Sequence, residues 1–319
     1  MVKIYIGGIA GNLGANLAKE LVANGYQVAG NDIIRFEEAW RLHSLKDKLK
    51  YIWKAGQDLT LQDIKDFDIV IDCMAVSDRP LGISSPTYIF NQNILLPLIL
   101  SELLKRQPST WLLYPGSGTI FLGVPAEEQP ITEETLPKPT NPYSLSKWMA
   151  EEVYRTYSRT YGFPYSILRS GLVYGIGARL DISIMKWILR TLQEKPLIIR
   201  SPRATRTPCY AEDILDAWLL LIEKITSDSE PVRNETIHFV ADHEFTMIEI
   251  AEKVKEILQG KNELIETGYE AGELINGKPV RQHEINVKAR KLLGWKAKTS
   301  LEEGIKLTAR WMEREILNR

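Results

Sequence analysis

Short apolar runs and longer amphipathic stretches take turns along the first half of this chain. Val2-Lys3-Ile4-Tyr5-Ile6, Tyr26 to Ala29, Asp68 to Cys73, Trp111 to Tyr114 and Tyr165 to Arg169 read as buried strands. Between them the apolar spacing predicts helices over about 12–24, 61–66, 88–106 and 144–161, and Gly25 stands where a helix end favours positive φ. Short strands alternating with helices imply an α/β fold, a doubly wound parallel sheet covered on both faces.

The pattern changes after about Gly175. Segment 181–200 predicts one helix and a short strand, and 201–208 is a loop rich in Arg, Thr and Pro. Helices follow over 212–225, 246–259, 287–293 and 301–317, with a strand at 236–240 that returns to the first sheet. No repeat or linker separates the halves. The expected organisation is a first domain over 1–175, with 207–241 returning to it. A smaller, interwoven C-terminal α/β domain takes 176–206 and 242–319.

Composition narrows the function. The 319 residues carry 40 Lys+Arg against 41 Asp+Glu, a net charge of −1, which argues against a nucleic-acid partner. Two cysteines, Cys73 and Cys209, cannot build a disulfide framework or a multi-cysteine metal site, so no metal is expected. Apolar runs such as Ile94 to Leu100 are too short to span a membrane, and no signal peptide is visible. A cytoplasmic protein is the expectation.

Gly7-Gly8-Ile9-Ala10-Gly11-Asn12-Leu13-Gly14 joins the first strand to the first helix. Glycines at Gly8, Gly11 and Gly14 permit the close backbone approach that a pyrophosphate needs at a helix N-terminus. The bland alternative is a tight turn with no ligand. Asp32 stands 18 positions beyond Gly14, at the end of the second strand. A carboxylate there can accept both adenosine ribose hydroxyls and repels a 2′-phosphate, so a Rossmann-like domain binding NAD rather than NADP is expected. Arg35 pulls the other way, because a guanidinium can hold a phosphate.

Tyr143 and Lys147 lie four residues apart after Pro142, on one face of a predicted helix. The ammonium favours the phenolate and makes Tyr143 a workable base for a hydroxyl proton. By itself the spacing equally describes a surface pair; the dinucleotide loop upstream gives it meaning. Ser117, in Tyr114-Pro115-Gly116-Ser117-Gly118-Thr119, follows a strand and offers a hydroxyl to orient a reacting group.

Together these residues resemble the extended short-chain dehydrogenase/reductase family, in its NAD-dependent nucleotide-sugar epimerase/dehydratase branch (UDP-glucose 4-epimerase-like), along essentially the whole chain. The glycine loop is similar to the family's Thr-Gly-x-x-Gly-x-x-Gly, with Gly7 in place of Thr. By this resemblance Gly8, Gly11, Asn12, Leu13, Gly14, Asp32 and Arg35 belong to the cofactor site. So do the adenine-contacting pair Asp58 and Leu59, Met74 and Ala75 of Cys73-Met74-Ala75-Val76, and Asn93. Ser117, Tyr143 and Lys147 match the catalytic set, with Tyr143 and Lys147 also at the cofactor. Arg169-Ser170-Gly171-Leu172-Val173-Tyr174-Gly175 looks like Arg-x-x-x-Val-Tyr-Gly. Arg206, with Asp213, fits the Arg that binds the substrate pyrophosphate; Arg281 is the second substrate arginine, and Thr119 joins the substrate set. The tail from Lys288 to Trp295 is similar to the family's C-terminal signature.

The resemblance implies NAD as cofactor, a nucleotide-sugar substrate, and a homodimer built on helices 88–106 and 144–161. Two departures bear on specificity. Arg200 to Arg206 replaces a glycine-rich stretch, and the family's 4,6-dehydratases carry Asp-Glu where this chain has Gly118 and Thr119. Elimination needs an acid and a base beyond Tyr, so epimerisation is the expected chemistry. The alternatives are a nucleotide-sugar ketoreductase or small-molecule dehydrogenase of the same fold, and a non-catalytic dinucleotide sensor.

Overall fold

The structure, a computed structural model, describes residues 1–77 and 79–317. It divides into two compact units. One comprises 1–117, 141–169 and 218–237; the other comprises 118–140, 170–217 and 238–319.

The first unit holds β1 (Lys3–Gly7), α1 (Asn12–Ala23), β2 (Gln27–Asp32), β3 (Lys50–Trp53), α2 (Leu61–Ile64), β4 (Ile69–Asp72), α3 (Arg79–Ser84), α4 (Pro86–Leu104), β5 (Trp111–Ser117) and α5 (Pro142–Tyr161). β6 (Tyr165–Ser170) and the strand Glu235–Phe239 complete a seven-stranded sheet. Its order is Glu235–Phe239, β6, β5, β4, β1, β2, β3, and the pairs from β5 across to β3 run parallel. The chain winds outward in both directions from β1 and β4, so the crevice at their C-terminal ends is the switch point where such sheets bind ligands. Tyr5, Val70, Leu112 and Ile167 of the strands bury against Leu100 and Leu104 of α4 and Ala150 and Tyr154 of α5. That burial is why the strand runs contain so few polar residues.

The second unit packs α6 (Ser183–Leu192), α8 (Met247–Ile257) and α10 (Leu301–Met312) around Ile184, Trp187, Ile188, Ile250, Val254 and Ile305. α7 (Ala211–Ser227) crosses the boundary between the units, and α9 (Val287–Leu293) ends on Gly294 in the left-handed region. Among the described residues no helix is long and apolar enough to cross a membrane.

The structure departs from the sequence expectation in particular places. Strand β3 was not predicted, because only its middle residues are half-buried and its ends face solvent at the sheet edge. β5 runs on to Ser117 instead of stopping at Tyr114. The unit boundaries also differ: 118–140 packs with the second unit, not the first. The reason is a set of long-range hydrogen bonds, from the Ile131 N–H to the His283 carbonyl, from Gln129 Nε2 to the Arg281 carbonyl and from the His283 N–H to Gln129 Oε1. Segment 201–208 is not wholly loop, since Thr205–Arg206 pairs antiparallel with Phe245–Thr246.

Candidate active site

The loop after β1 is shaped by what glycine lacks. Gly8 has φ +73°, and a Cβ there would lie 2.7 Å from the Cys73 carbonyl oxygen; one on Gly14 would collide with the Gly8 carbonyl. The loop is pinned to β2 by N–H bonds from Gly8 and Ile9 to the Asn31 carbonyl. Gly11 caps α1 without a side chain, and no acidic residue occupies the first turn that begins with Asn12 and Leu13. Backbone donors and the positive end of α1 therefore meet a surface stripped of side chains, a cradle that fits a pyrophosphate.

Asp32 closes the adjoining strand. Its Oδ2 accepts the Ala10 N–H at 2.9 Å and its Oδ1 accepts the Ile34 N–H at 3.2 Å. The carboxylate is thus fixed against the loop it would serve, with lone pairs left for ribose hydroxyls. The Arg35 guanidinium lies 4.4 Å from the centre of the Trp53 ring. Stacking on that β3 residue, which the sequence did not single out, gives Arg35 a partner of its own.

The other expected cofactor residues take varied places. Asp58 is exposed while Leu59 is buried in the sheet core. Met74 lays its thioether over Gly7 and Gly56, where any Cβ would meet it within 3 Å. The Ala75 N–H bonds back to the Cys73 carbonyl. Asn93 clamps the Val76 backbone through both amide atoms and also donates to Ser146 Oγ; its side chain ties α4, α5 and the segment after β4 together.

Helix α5 supplies the candidate acid–base group. Asn141 and Ser144 form a reciprocal cap and Pro142 starts the helix, so Tyr143 and Lys147 fall one turn apart. Tyr143 is half-buried, with its Cβ against Gly82 of α3. Lys147 is 4% exposed and donates from Nζ to the Tyr114 phenol oxygen at 2.6 Å. Burial pulls the Lys147 pKa down to about 8, against the opposing pull of Asp72 and Glu151. Ser117, the last residue of β5, is nearly buried.

Beneath this group Glu151 accepts from Nε and Nη2 of Arg169 and from Nη2 of Arg155. Burial alone would raise Glu151; the two guanidiniums more than reverse that and hold its carboxyl low. A Cβ on Gly116 would come within 2.6 Å of Glu151 Oε1, which is why β5 carries glycine there. Sequence reasoning missed Glu151, although it sits one turn beyond Lys147 on the same buried face.

In the second unit both expected phosphate arginines already hold carboxylates. Arg206 Nη2 reaches Oε1 and Oε2 of Glu273 at 2.6 and 2.7 Å. Arg281 is paired through Nε and Nη2 with Glu244. Neither acid was anticipated. Thr119 lies on the 3₁₀ turn Gly118–Phe121 that follows β5. Glu284, also unforeseen, is buried against Gly118 and accepts from Gln282 Nε2 and Thr207 Oγ1. Burial pushes its carboxyl up from the ordinary range.

Comparison with known proteins gives this chemistry a family. The sequence profile of the NAD dependent epimerase/dehydratase family matches residues 4–234. The chain is similar to a UDP-glucuronate 4-epimerase of Thermodesulfobacterium geofontis, 26% identical over 323 residues covering 97% of this chain and 95% of that one. It is also similar to a dTDP-D-glucose 4,6-dehydratase of Mus musculus, 30% identical over 209 residues, 65% of this chain and 56% of that one. In fold it resembles the UDP-glucose 4-epimerase of Thermotoga maritima crystallised with UDP-glucose, with a TM-score of 0.87 and 23% identity over 98% of this chain and 99% of that chain. With the profile match spanning the glycine cradle, Tyr143 and Lys147, the chain belongs to the NAD dependent epimerase/dehydratase family and is an enzyme whose cofactor is NAD.

Proposed function

We propose that this enzyme is a nucleotide-sugar 4-epimerase. The observation that carries the reading is a buried Lys147 ammonium one helical turn from Tyr143. When bound, NAD would supply a reversible hydride acceptor and donor at the sugar C4, so that the hydride taken in forming the 4-keto sugar is given back to its other face. Tyr143 removes the proton of the C4 hydroxyl, Ser117 hydrogen-bonds the same oxygen, and Lys147 stabilises the charge that develops on the phenol while holding the cofactor ribose. Tyr143 then returns the proton after the 4-keto sugar has turned. The Gly8–Gly14 loop, Asn12, Leu13, Asp32, Asp58, Met74 and Ala75 bind the dinucleotide. Thr119, Arg206 and Arg281 bind the substrate, the arginines through its diphosphate.

Gly118 favours this chemistry over dehydration. It stands where the related 4,6-dehydratases carry an acid, and a side chain there would run into Glu284 Oε1. The same contact favours a second reading, in which Glu284, whose carboxyl burial pushes upward, is the acid of an elimination. Purified protein incubated with UDP-galactose or UDP-glucuronate, without added NAD, separates the two. Interconversion with the 4-epimer supports epimerisation, and a product lighter by one water supports elimination. No turnover of any nucleotide sugar overturns both.

We further infer that the chain pairs with a second copy of itself through α4 and α5. Tyr88 and Leu95, seven residues apart on α4, and Met149 on α5 leave large apolar surface exposed.

A further inference from the structure

Lys147 is surrounded by hydroxyls and a carboxylate that the proposed reaction does not use. One ammonium donor goes to the Tyr114 oxygen, and Nζ also stands 4.1 Å from the centre of the Tyr114 ring. The Tyr114 ring packs at 5.1 Å, centre to centre, on the ring of Tyr154. The Tyr154 hydroxyl donates to Asp72 Oδ2, whose partner oxygen Oδ1 accepts the Met74 N–H at 2.9 Å. These three side chains come from β5, α5 and β4, and all are buried. Packing does not require their polar atoms, since phenylalanine would fill either tyrosine site with no hydroxyl to satisfy.

We propose that Tyr114 is a positioning residue for Lys147: its phenol oxygen is the fixed acceptor that holds the ammonium on the Tyr143 face of α5, and the Tyr154–Asp72 pair anchors the ring that carries it. The inference deepens the role given to Lys147 in the proposed function and rests on it. A lysine stem has four rotatable carbons, so an ammonium held by Tyr143 and a ribose alone has many competing rotamers. A bond to a ring locked in the core removes them and leaves two donors for the reaction.

The acceptor also bears on charge. An ammonium out of water depends on its hydrogen bonds to stay protonated. The titratable groups acting on Lys147 are Asp72 and Cys73 at the end of β4 and Glu151 on its own helix, with the Tyr114 phenol of β5 in contact and Tyr143 one turn earlier on α5; α4 presents uncharged Asn93 to Ser146 beside it. Burial pushes the Cys73 thiol and the Tyr114 and Tyr154 phenols far up, so they remain neutral. Glu151 is committed to two arginines. Removing the Tyr114 oxygen therefore leaves Asp72 as the main support of the Lys147 charge.

The test is NADH binding by fluorescence, in full-length protein freed of nucleotide, titrated from about pH 6 to about pH 10. In the wild type the affinity falls as pH rises through about 8, where Lys147 loses its proton. In Tyr114→Phe the midpoint of that fall moves lower by at least about half a unit, a loss of roughly twofold in affinity at the wild-type midpoint that approaches threefold at higher pH, while affinity at the acid end is retained. Tyr154→Phe, which frees the ring anchor, shifts it in the same direction by less. An unmoved midpoint in both folded variants, or a wild-type affinity flat across the range, overturns the proposal. A shifted midpoint in a protein that turns over no nucleotide sugar sustains this inference and sinks the epimerase reading; an unmoved midpoint in an active epimerase does the opposite.

Discussion

Arg206 and Glu273 form a closed pair in which one guanidinium nitrogen reaches both carboxylate oxygens and the glutamate is 2% exposed. The arginine expected to meet substrate phosphate is therefore also the counter-charge of a buried acid. Removing it strands that acid. Arg206→Ala is expected to lower the free energy of unfolding by about 3–5 kcal/mol without any substrate present, read by urea denaturation. An arginine that serves substrate alone would cost less than about 0.5 kcal/mol in the same measurement.

Gly118 and Glu284 are coupled through space that only a glycine leaves open. A Cβ at 118 would collide with Glu284 Oε1 and come within 2.7 Å of Gln282 Nε2, two buried groups already bonded to each other. Gly118→Ala is expected to destabilise the protein by about 1–3 kcal/mol. In a Glu284→Ala background the methyl finds room, so the double variant should be more stable than the sum of the single changes by at least about 1 kcal/mol. A Gly118→Ala protein with wild-type stability would mean that Glu284 swings aside freely.

What could be read from the sequence was local. The glycine loop, Asp32 and the Tyr143–Lys147 spacing each lie within one turn or one strand–helix junction, where backbone geometry converts spacing directly into position. Partners set by tertiary packing left no such trace: Glu273 is 67 positions from Arg206, and Glu244 is 37 from Arg281. The Lys147 surroundings lie between these cases. Neither neighbour was singled out in the sequence: Asp72 ends the apolar strand β4 and Tyr154 shares a face of α5 with Lys147 seven residues earlier, but only the packed sheet shows that Tyr114 joins them. Strand β3 escaped notice because an edge strand with exposed ends has neither a continuous apolar run nor clean alternation.

If α4 and α5 join two copies, their exposed apolar residues should decide assembly. Leu95 and Met149 are 47% and 39% exposed in the single chain. Leu95→Glu combined with Met149→Glu places two charges in the joint and should give a monomer by sedimentation, with stability of the isolated chain changed by no more than about 0.5 kcal/mol. A wild-type protein that sediments as a monomer at micromolar concentration would remove the basis of the pairing.

Lys147 sets stability against activity. Its folded pKa of about 8 lies below the ordinary lysine value of 10.5, so the unfolded chain binds the extra proton between those values and stability rises with pH across that window. Below it both states are charged, and burial of the ammonium costs on the order of 3 kcal/mol. Lys147→Met removes that cost and keeps the stem's packing, while leaving the Tyr114 hydroxyl without its donor at about 1 kcal/mol. The variant should therefore be more stable than wild type at neutral pH by about 1–2 kcal/mol in urea, and the gap should close as pH is raised towards 10.5. On the proposed mechanism its turnover should fall by on the order of 100-fold or more, because no ammonium would then support the Tyr143 phenolate. Equal or lower stability at neutral pH would show that Asp72 already compensates the buried ammonium in full.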